Sequence, residues 1–257
     1  MAWLNVLIAN IRKVGILLIR YLPNTISEIV TFYAIFLMFF FGVKVIGDPA
    51  QMGENSAFVI VSMFLWFLSL TAMQGIGWEL TTEATSGTLE QLYMSPVPTW
   101  FILLSRMIGT VLVNIVIMAV VLFLSMLTAG QWLSVDVLTL IPLFILLLIG
   151  MLGIGFMVAG LALIYKQINA LLQIAQFAFF ALVSVSVTLS KWLEFLPVIR
   201  GSSMIRTSMT EGKHLFDFTT TDWLLLLTNA VIYFIAGVLV YKLAERRAMR
   251  MGLLGKY

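Results

Sequence analysis

The stretch Thr85-Ser-Gly-Thr-Leu-Glu-Gln-Leu-Tyr-Met-Ser-Pro-Val-Pro98 is polar, punctuated by glycine and proline, and flanked by two long apolar runs. Its surroundings decide how it is read. Of the 257 residues, 61% are hydrophobic and 11% charged, against about 25% charged in an ordinary soluble domain. Mean hydropathy is +1.07. This is the composition of a membrane protein, and residues 85–98 are then an extramembrane link between two spans.

Crossing the hydrocarbon core takes roughly 20 mostly apolar residues, because in lipid the backbone satisfies its polar groups only as helix or closed barrel. The apolar runs here are of helix length and lack two-residue alternation, which favours helices over a barrel. The expected architecture is an all-α polytopic membrane protein forming a single transmembrane domain over residues 1–257, with six spans at 24–46, 55–79, 100–128, 136–164, 168–190 and 222–244. An even number of spans puts both termini on one side.

Basic residues choose that side, since cytoplasmic flanks carry the Lys/Arg excess. Arg12, Lys13, Arg20, Arg106, Lys166, Lys242, Arg246, Arg247, Arg250 and Lys256 fall on the side of the termini, and Lys44, Lys191, Arg200, Arg206 and Lys213 on the other. Both termini and the 85–98 insert are therefore expected in the cytosol of a cytoplasmic (inner) membrane.

Residues 1–22 group Trp3, Leu4, Leu7, Ile8, Ile11, Val14 and Leu18 on one helical face and Asn5, Asn10, Arg12, Lys13 and Arg20 on the other. That is the pattern of a helix lying in the membrane interface. Arg12 and Lys13 interrupt the apolar run and no small-residue cleavage site follows, which argues against a signal peptide. Thr25-Ile-Ser-Glu28 fits a capping box opening the first span, making Glu28 a helix-start carboxylate rather than a buried ion ligand. Gly150, Gly153, Gly155, Ala159 and Gly160 follow no strand and miss the dinucleotide-loop spacing, so they read as a close helix contact. Residues 191–221 alternate polar residues with short apolar clusters and are expected as short re-entrant helices on the outer side.

Within the insert, Glu79, Glu83, Ser86 and Glu90 recur at steps of four, three and four, placing them on one face of a continuous helix. Gly87 offers that helix a C-terminal stop. Thr88-Leu-Glu-Gln91 is then expected to open a second short helix as a capping box, with Leu89, Leu92 and Tyr93 on its apolar face. Ser95-Pro96 ends it and Pro98-Thr99 opens the third span. A protruding helix, a break, a short amphipathic helix and a return make a stiff lever. Its acidic face, set beside a membrane that repels anions, points to a protein partner.

Glu83-x-x-x-Gly87-Thr88-Leu89-Glu90-x-Leu92-x-x-Ser95-Pro96-Val97 resembles the E-x-x-x-G-T-L-E-x-L-x-x-[ST]-P signature of type-2 ATP-binding-cassette (ABC) exporter permeases, and it falls between spans two and three as it does there. The likeness extends in topology to the amphipathic amino-terminal helix and the outer re-entrant helices. It implies that residues 80–98 are the coupling segment that docks on an ABC ATP-binding subunit, through Glu83, Gly87, Thr88, Leu89, Glu90, Leu92 and Pro96. Glu79 and Pro98 join this set from the local reading. It implies further that a second permease subunit, identical or related, completes the transporter, and that ATP and Mg are bound by the partner chains.

The residues agree with an external motor. No G-x-x-x-x-G-K-[ST] phosphate loop exists, since Gly212-Lys213 is followed by His214 and lacks the earlier glycine. With no cysteine and one histidine, thiolate chemistry and a metal site are not expected, and no serine, histidine and acid set is brought together for hydrolysis. The net charge of +3 comes without a basic stripe interleaved with aromatics, so nucleic acid is not an expected partner. The rival class is an ion-gradient-driven secondary transporter, which needs carboxylates or histidines deep in its spans; the mid-span polar residues are instead Gln74, Asn114, Gln173 and Gln176.

In the resembled family spans two and five face the partner subunit across a substrate cavity, which here nominates Trp66, Phe67, Leu70 and Gln74 with Gln173, Phe177, Phe180 and Ser184. Aromatic and amide groups without fixed charge suit an amphipathic, drug-like or lipid-like substrate.

Overall fold

Gly153 and Gly237 bring two long helices into direct backbone contact. The computed structural model describes residues 2–46, 52–165, 168–184 and 194–252. These form α1 (Ala2–Arg20), α2 (Leu22–Ile46), α3 (Met52–Thr85), α4 (Leu89–Tyr93), α5 (Thr99–Ala129), α6 (Val137–Tyr165), α7 (Asn169–Ser184), α8 (Ile199–Glu211) and α9 (Thr220–Arg250), with a 3-10 turn at Leu215–Asp217. No strand occurs among the described residues.

Among the described residues five helices are long and apolar enough to cross a membrane: Leu22–Val45, Ser56–Thr85, Thr99–Ala129, Val137–Tyr165 and Thr220–Arg250. The apolar part of α7, Leu172–Val183, is shorter. The remainder of the expected span 168–190 runs into residues 185–190, outside the described residues, as does the start of the expected outer loop at 191–193.

The glycines of α6 divide between two neighbours. A Cβ on Gly237 of α9 would fall on the backbone of Gly153, and one on Gly153 would fall on the Tyr233 carbonyl. One turn-pair on, a Cβ on Gly160 would sit 3.2 Å from the Cβ of Ala244. Gly155 points the other way, where an added Cβ would crowd the Ala72 and Met73 carbonyls of α3. Backbone-to-backbone approach of this kind replaces the hydrophobic drive that lipid removes, because only close packing distinguishes helix from lipid neighbours. The sequence reading of these glycines as packing residues holds.

The same contacts give the directions. Residues 150, 153 and 160 of α6 meet 230, 233–237 and 241–244 of α9 in ascending order, so the two helices run parallel. Phe64 stacks edge-on against Phe144, while Ala72 meets Gly155, so α3 runs parallel to α6 as well. On its far side α3 is antiparallel to α7: Ile168 lies by Gly77, the Leu172 carbonyl accepts from Gln74 Nε2 at 3.3 Å, and the Gln176 carbonyl accepts from Trp66 Nε1 at 3.0 Å.

Helix α1 follows α5 from its start. Trp3 meets Trp100 and Phe101, Asn10 Nδ2 donates to Ser105 Oγ at 2.6 Å, and Gly109 lets Ile11 and Val14 approach its Cα. Asn10 therefore lies on the face that packs on α5, not on the solvent face with Arg12 and Lys13 as expected. Its amide donates both to the serine and to the Val6 carbonyl, at 3.0 Å. The expected capping box at residues 25–28 is also displaced. The Tyr21 carbonyl accepts from Thr25 N–H at 3.1 Å, so α2 begins a turn earlier, at Leu22, and Thr25 and Glu28 lie inside it. Pro23 tolerates a first-turn position because its missing N–H is unneeded there.

At the opposite end of the molecule from α4, α8 is seated over α6 by Gly201 and held by ion pairs of Arg200 with Asp222 and Glu194. The turn after α8 is pinned to the α5–α6 connection, where His214 Nδ1 lies 3.0 Å from Asp136 Oδ2. The Asp136 hydrogen bond raises the His214 imidazolium above its ordinary value of 6.5, and the Thr139 and His214 hydrogen bonds lower the Asp136 carboxyl below 3.8.

Two outcomes follow from this packing. Gly237→Ala should destabilise the protein by at least about 1–3 kcal/mol, the range for overpacking, whereas Gly42→Ala, with nothing within 4 Å, should be neutral or stabilising; thermal unfolding of the purified variants decides. The His214 contribution, from a raised value, is complete below pH 6.5 and fades as pH rises through the raised value; that of Asp136, from a lowered value, is complete above 3.8 and fades as pH falls below it. Protection of the amides of residues 212–218, taken relative to their intrinsic exchange rate at each pH, should thus be greatest between those limits and fall toward alkaline pH, and Asp136→Asn should flatten that profile.

Candidate functional site

Helix α3 continues past its apolar stretch to Thr85 and stops at Gly87, which takes φ of +69°. Gly87 N–H donates to the Ala84 carbonyl at 3.2 Å and Thr88 N–H to the Glu83 carbonyl at 3.0 Å, the paired bonds of a Schellman stop. Thr88 begins α4, yet its side chain makes no cap to that helix. Its hydroxyl donates to the Glu83 carboxylate instead. The expected Thr88–Gln91 capping box is therefore not formed: Thr88 has helical backbone, φ −98° and ψ −1°, rather than the extended conformation of an N-cap, and its hydroxyl is turned toward the carboxylate.

That carboxylate is the centre of the site. Arg106 of α5 places Nη1 2.5 Å from Glu83 Oε1 and 3.1 Å from Glu79 Oε2, with the Arg106 side chain 18% and that of Glu83 19% exposed. Lys13 of α1 adds a longer-range positive potential at Glu83. The expected acidic face of Glu79, Glu83 and Glu90 is thus not one free surface: Glu79 and Glu83 share the single Arg106 guanidinium, and Glu90 stands apart, exposed on α4. Sequence reading counted Arg106 only as a topological charge. The signal it carried was its isolation, a single cation in the apolar run that starts at Pro98, facing two glutamates one helical turn apart.

The apolar face of α4 is as expected, but it is satisfied internally. Leu89 and Leu92 are buried in the main core, and Tyr93 Oη lies 3.2 Å from Tyr241 Oη of α9. Val97 is buried beneath the return, and Thr99 starts α5 directly after Pro98. Gly87, Pro96 and Pro98 are exposed, and the side chains projecting outward from α4 are Glu90, Gln91 and Met94, the last 83% exposed.

The model for ABC-2 family transporter proteins matches residues 33–239, more than half of the chain and all of this hairpin. The chain belongs to that family. No curated protein matches it closely enough to count as a relative. This ABC-2 protein is accordingly a multi-pass membrane protein and a transport component of an ABC transporter, in a family whose members work with an ATP-binding subunit.

The residues nominated for a substrate cavity in the ABC-2 chain separate into two groups. Trp66 and Phe67 are buried; Trp66 and Gln74 join α3 to α7 through the hydrogen bonds given above, and Phe67 meets Phe32 with ring centroids 4.4 Å apart. Leu70 is half-buried, Gln173 and Phe177 are exposed, and Phe180 packs edge-on to Trp66 at 5.1 Å. Phe180 also lines a cavity of about 350 Å³ with Phe39, Phe58 and Ser62. Ser184 lies at the end of α7.

The Arg106 contact should be measurable on its own. Removing one partner of a half-buried ion pair costs less than the 3–5 kcal/mol of a fully buried one. In Arg106→Gln, exchange of the α4 amides should quicken by about five- to thirty-fold, about 1–2 kcal/mol of local stability, with α9 protection unchanged.

Proposed function

We propose that this chain is the permease subunit of an ATP-driven ABC exporter, moving an amphipathic, drug-like or lipid-like substrate outward across a cytoplasmic membrane. ATP and Mg are bound by a separate nucleotide-binding subunit, this chain carries no catalytic site of its own, and a second permease subunit, identical or related, completes the transporter. The observation that carries the reading is the hairpin. With Leu89 and Leu92 buried within the chain and Arg106 joining α3 to α5, a force on Glu90, Gln91 and Met94 moves both long helices together.

Helix direction supports six spans with both termini on one side, and the Lys/Arg excess on that side is the argument for the cytosol. Because α6 and α9 run parallel, the chain between Tyr165 and Thr220 has to return along the bundle. Helix α7 makes that return, rising antiparallel to α3 from the level of Gly77 to that of Ser62, where Arg206 bridges Ser62 and Val183. In the proposed cycle ATP closes the nucleotide-binding subunits, the hairpins are pushed, and α3 and α7 swing relative to those of the second permease to open the cavity outward. Substrate-facing residues are then the exposed Gln173 and Phe177, with Phe180, Ser184 and the Trp66-to-Gln74 face of α3 behind them. A coupled cycle requires each state to bind nucleotide differently.

An ion-gradient-driven carrier draws on one observation, the half-buried Glu28 within α2. The two readings part in one experiment. The tagged chain should co-purify with an ATPase chain, and Glu90→Arg with Met94→Asp should lose that chain while unfolding at the same temperature as the parent. Transport should fall at least about ten-fold, the scale of one lost anchoring contact. Undiminished transport with ATP depleted and the ion gradient kept would sink the exporter in favour of the carrier.

A further inference from the structure

Glu28 has no role in the hairpin, and its surroundings are those of a ligand site. It lies two turns into α2, half-buried, and forms no ion pair among the described residues. None of the cations on α1, α2 and α5 lines this cavity: Arg106 pairs with Glu79 and Glu83, Lys13 lies toward Glu83, Arg12 borders a different groove of α1 with Asn5 and Ile16, and Arg20 lies over the Tyr21 ring at 5.9 Å. Glu28 instead borders a cavity of about 380 Å³ in the elbow between α1 and α2, closed on its third side by α5. That is room for roughly a dozen waters at ~30 Å³ each.

The wall is divided by chemistry. Thr25, Thr110 and Asn114 stand with Glu28, while Val14, Leu18 and Ile117 form the apolar side. Asn114 is buried and spends its Nδ2 on the Thr110 carbonyl at 3.1 Å, and Thr110 spends its hydroxyl proton on the Arg106 carbonyl at 3.2 Å. Thr110 is left with its hydroxyl oxygen as an acceptor, and Asn114, like Asn24 on the same wall, keeps its amide oxygen as an acceptor beside one or more free N–H groups. A carboxylate among acceptors calls for a cation with several donors. A divalent metal would need about six oxygen ligands, and one carboxylate in a half-apolar wall is a poor match for it. The exposed Tyr21 ring at the mouth, 53% accessible, adds a π-face suited to an alkylated cation.

We infer that the α1–α2 elbow binds the ammonium group of an amphiphilic molecule, with Glu28 as counter-ion, Asn114 and the threonines as acceptors, and Tyr21, Leu18 and Val14 against its first methylenes. The chemistry is shared by an aminophospholipid of the bilayer and by an amphiphilic amine carried as cargo. The inference depends on the membrane setting of α2 and not on the ATP-driven cycle.

The test uses the purified full-length chain in maltoside micelles without nucleotide or ATPase. The probes are photoreactive dodecylamine and its dodecanol counterpart. The amine should label peptides containing Tyr21 or Asn114 saturably, at least about ten-fold more tightly than the alcohol, as for a charge-assisted hydrogen bond. Glu28→Gln should abolish that difference, Glu28→Asp should keep it to within about three-fold, and Tyr21→Ala should weaken labelling several-fold. Tyr21→Ala alters an exposed side chain and keeps the test decisive if Glu28→Gln fails to fold. Displacement by short-chain phosphatidylethanolamine assigns a lipid occupant, and displacement only by phosphate-free alkylammonium assigns cargo. Equal labelling by amine and alcohol, competition by neither class, or full labelling in both Glu28→Gln and Tyr21→Ala overturns the inference.

Discussion

The backbone contact between Gly153 and Gly237 is the constraint on which the rest of the molecule depends. Burying apolar surface gives little preference for one arrangement of helices when the surrounding lipid is equally apolar. What selects an arrangement is how closely two backbones can come, and that is decided by where side chains are missing. Helix α6 lacks them on two sides, toward α9 at Gly153 and Gly160 and toward α3 at Gly155. It therefore has two fixed neighbours, and α3, α6 and α9 run parallel as one slab. Parallel neighbours cannot be joined by short loops, so the return segments α5 and α7 have to lie outside the slab, against α3. The peripheral positions of α1 and α2, along α5, follow from that order.

Charge is used at the ends of this slab, where it can be paired. The Glu79, Glu83 and Arg106 cluster ties one end of α3 to α5, and at the opposite level the Arg200, Asp222 and Glu194 cluster ties α8 to the start of α9. Both clusters are largely shielded from solvent, so their geometry is held by mutual hydrogen bonding as well as by charge. In a chain with 11% charged residues, these two levels are where charge is paired within the chain. One level carries α4 and the other carries α8.

The helical architecture was legible because apolar run length and glycine spacing are direct consequences of the lipid environment, and the Gly150 to Gly160 stripe was read correctly from the absence of a strand before it. The Gly87 stop and the apolar face at Leu89 and Leu92 were legible for the same local reason. What sequence concealed was competition between partners. Thr88 has a good capping partner in Gln91, but the fold brings a carboxylate to its hydroxyl. Thr25-Ile-Ser-Glu28 spells a capping box, but the helix had already begun at Leu22. Asn10 looks like a solvent residue until Ser105 is placed beside it. Each miss involves a polar side chain whose partner is distant in sequence or whose helix started elsewhere, information that periodicity does not contain.

The burial of the α4 apolar face changes how the hairpin can act. A short amphipathic helix resting on lipid would slide when pushed, because its contacts are interchangeable. With Leu89 and Leu92 in the chain's own core and Tyr93 against Tyr241, α4 is instead a fixed protrusion of the slab. Displacing it relative to α3 means breaking the Thr88 hydrogen bond to Glu83 and withdrawing Leu89 and Leu92 from the core, whereas displacing it together with α3, α5 and α9 breaks none of these contacts. The lower-energy response to a load on α4 is therefore rigid-body tilt. The compliance has to reside where packing is weakest, between the slab and helices such as α2 whose outer faces are exposed. The elbow cavity beside Glu28 lies on that compliant side, which is where a bound amphiphile can enter and leave without disturbing the glycine contacts.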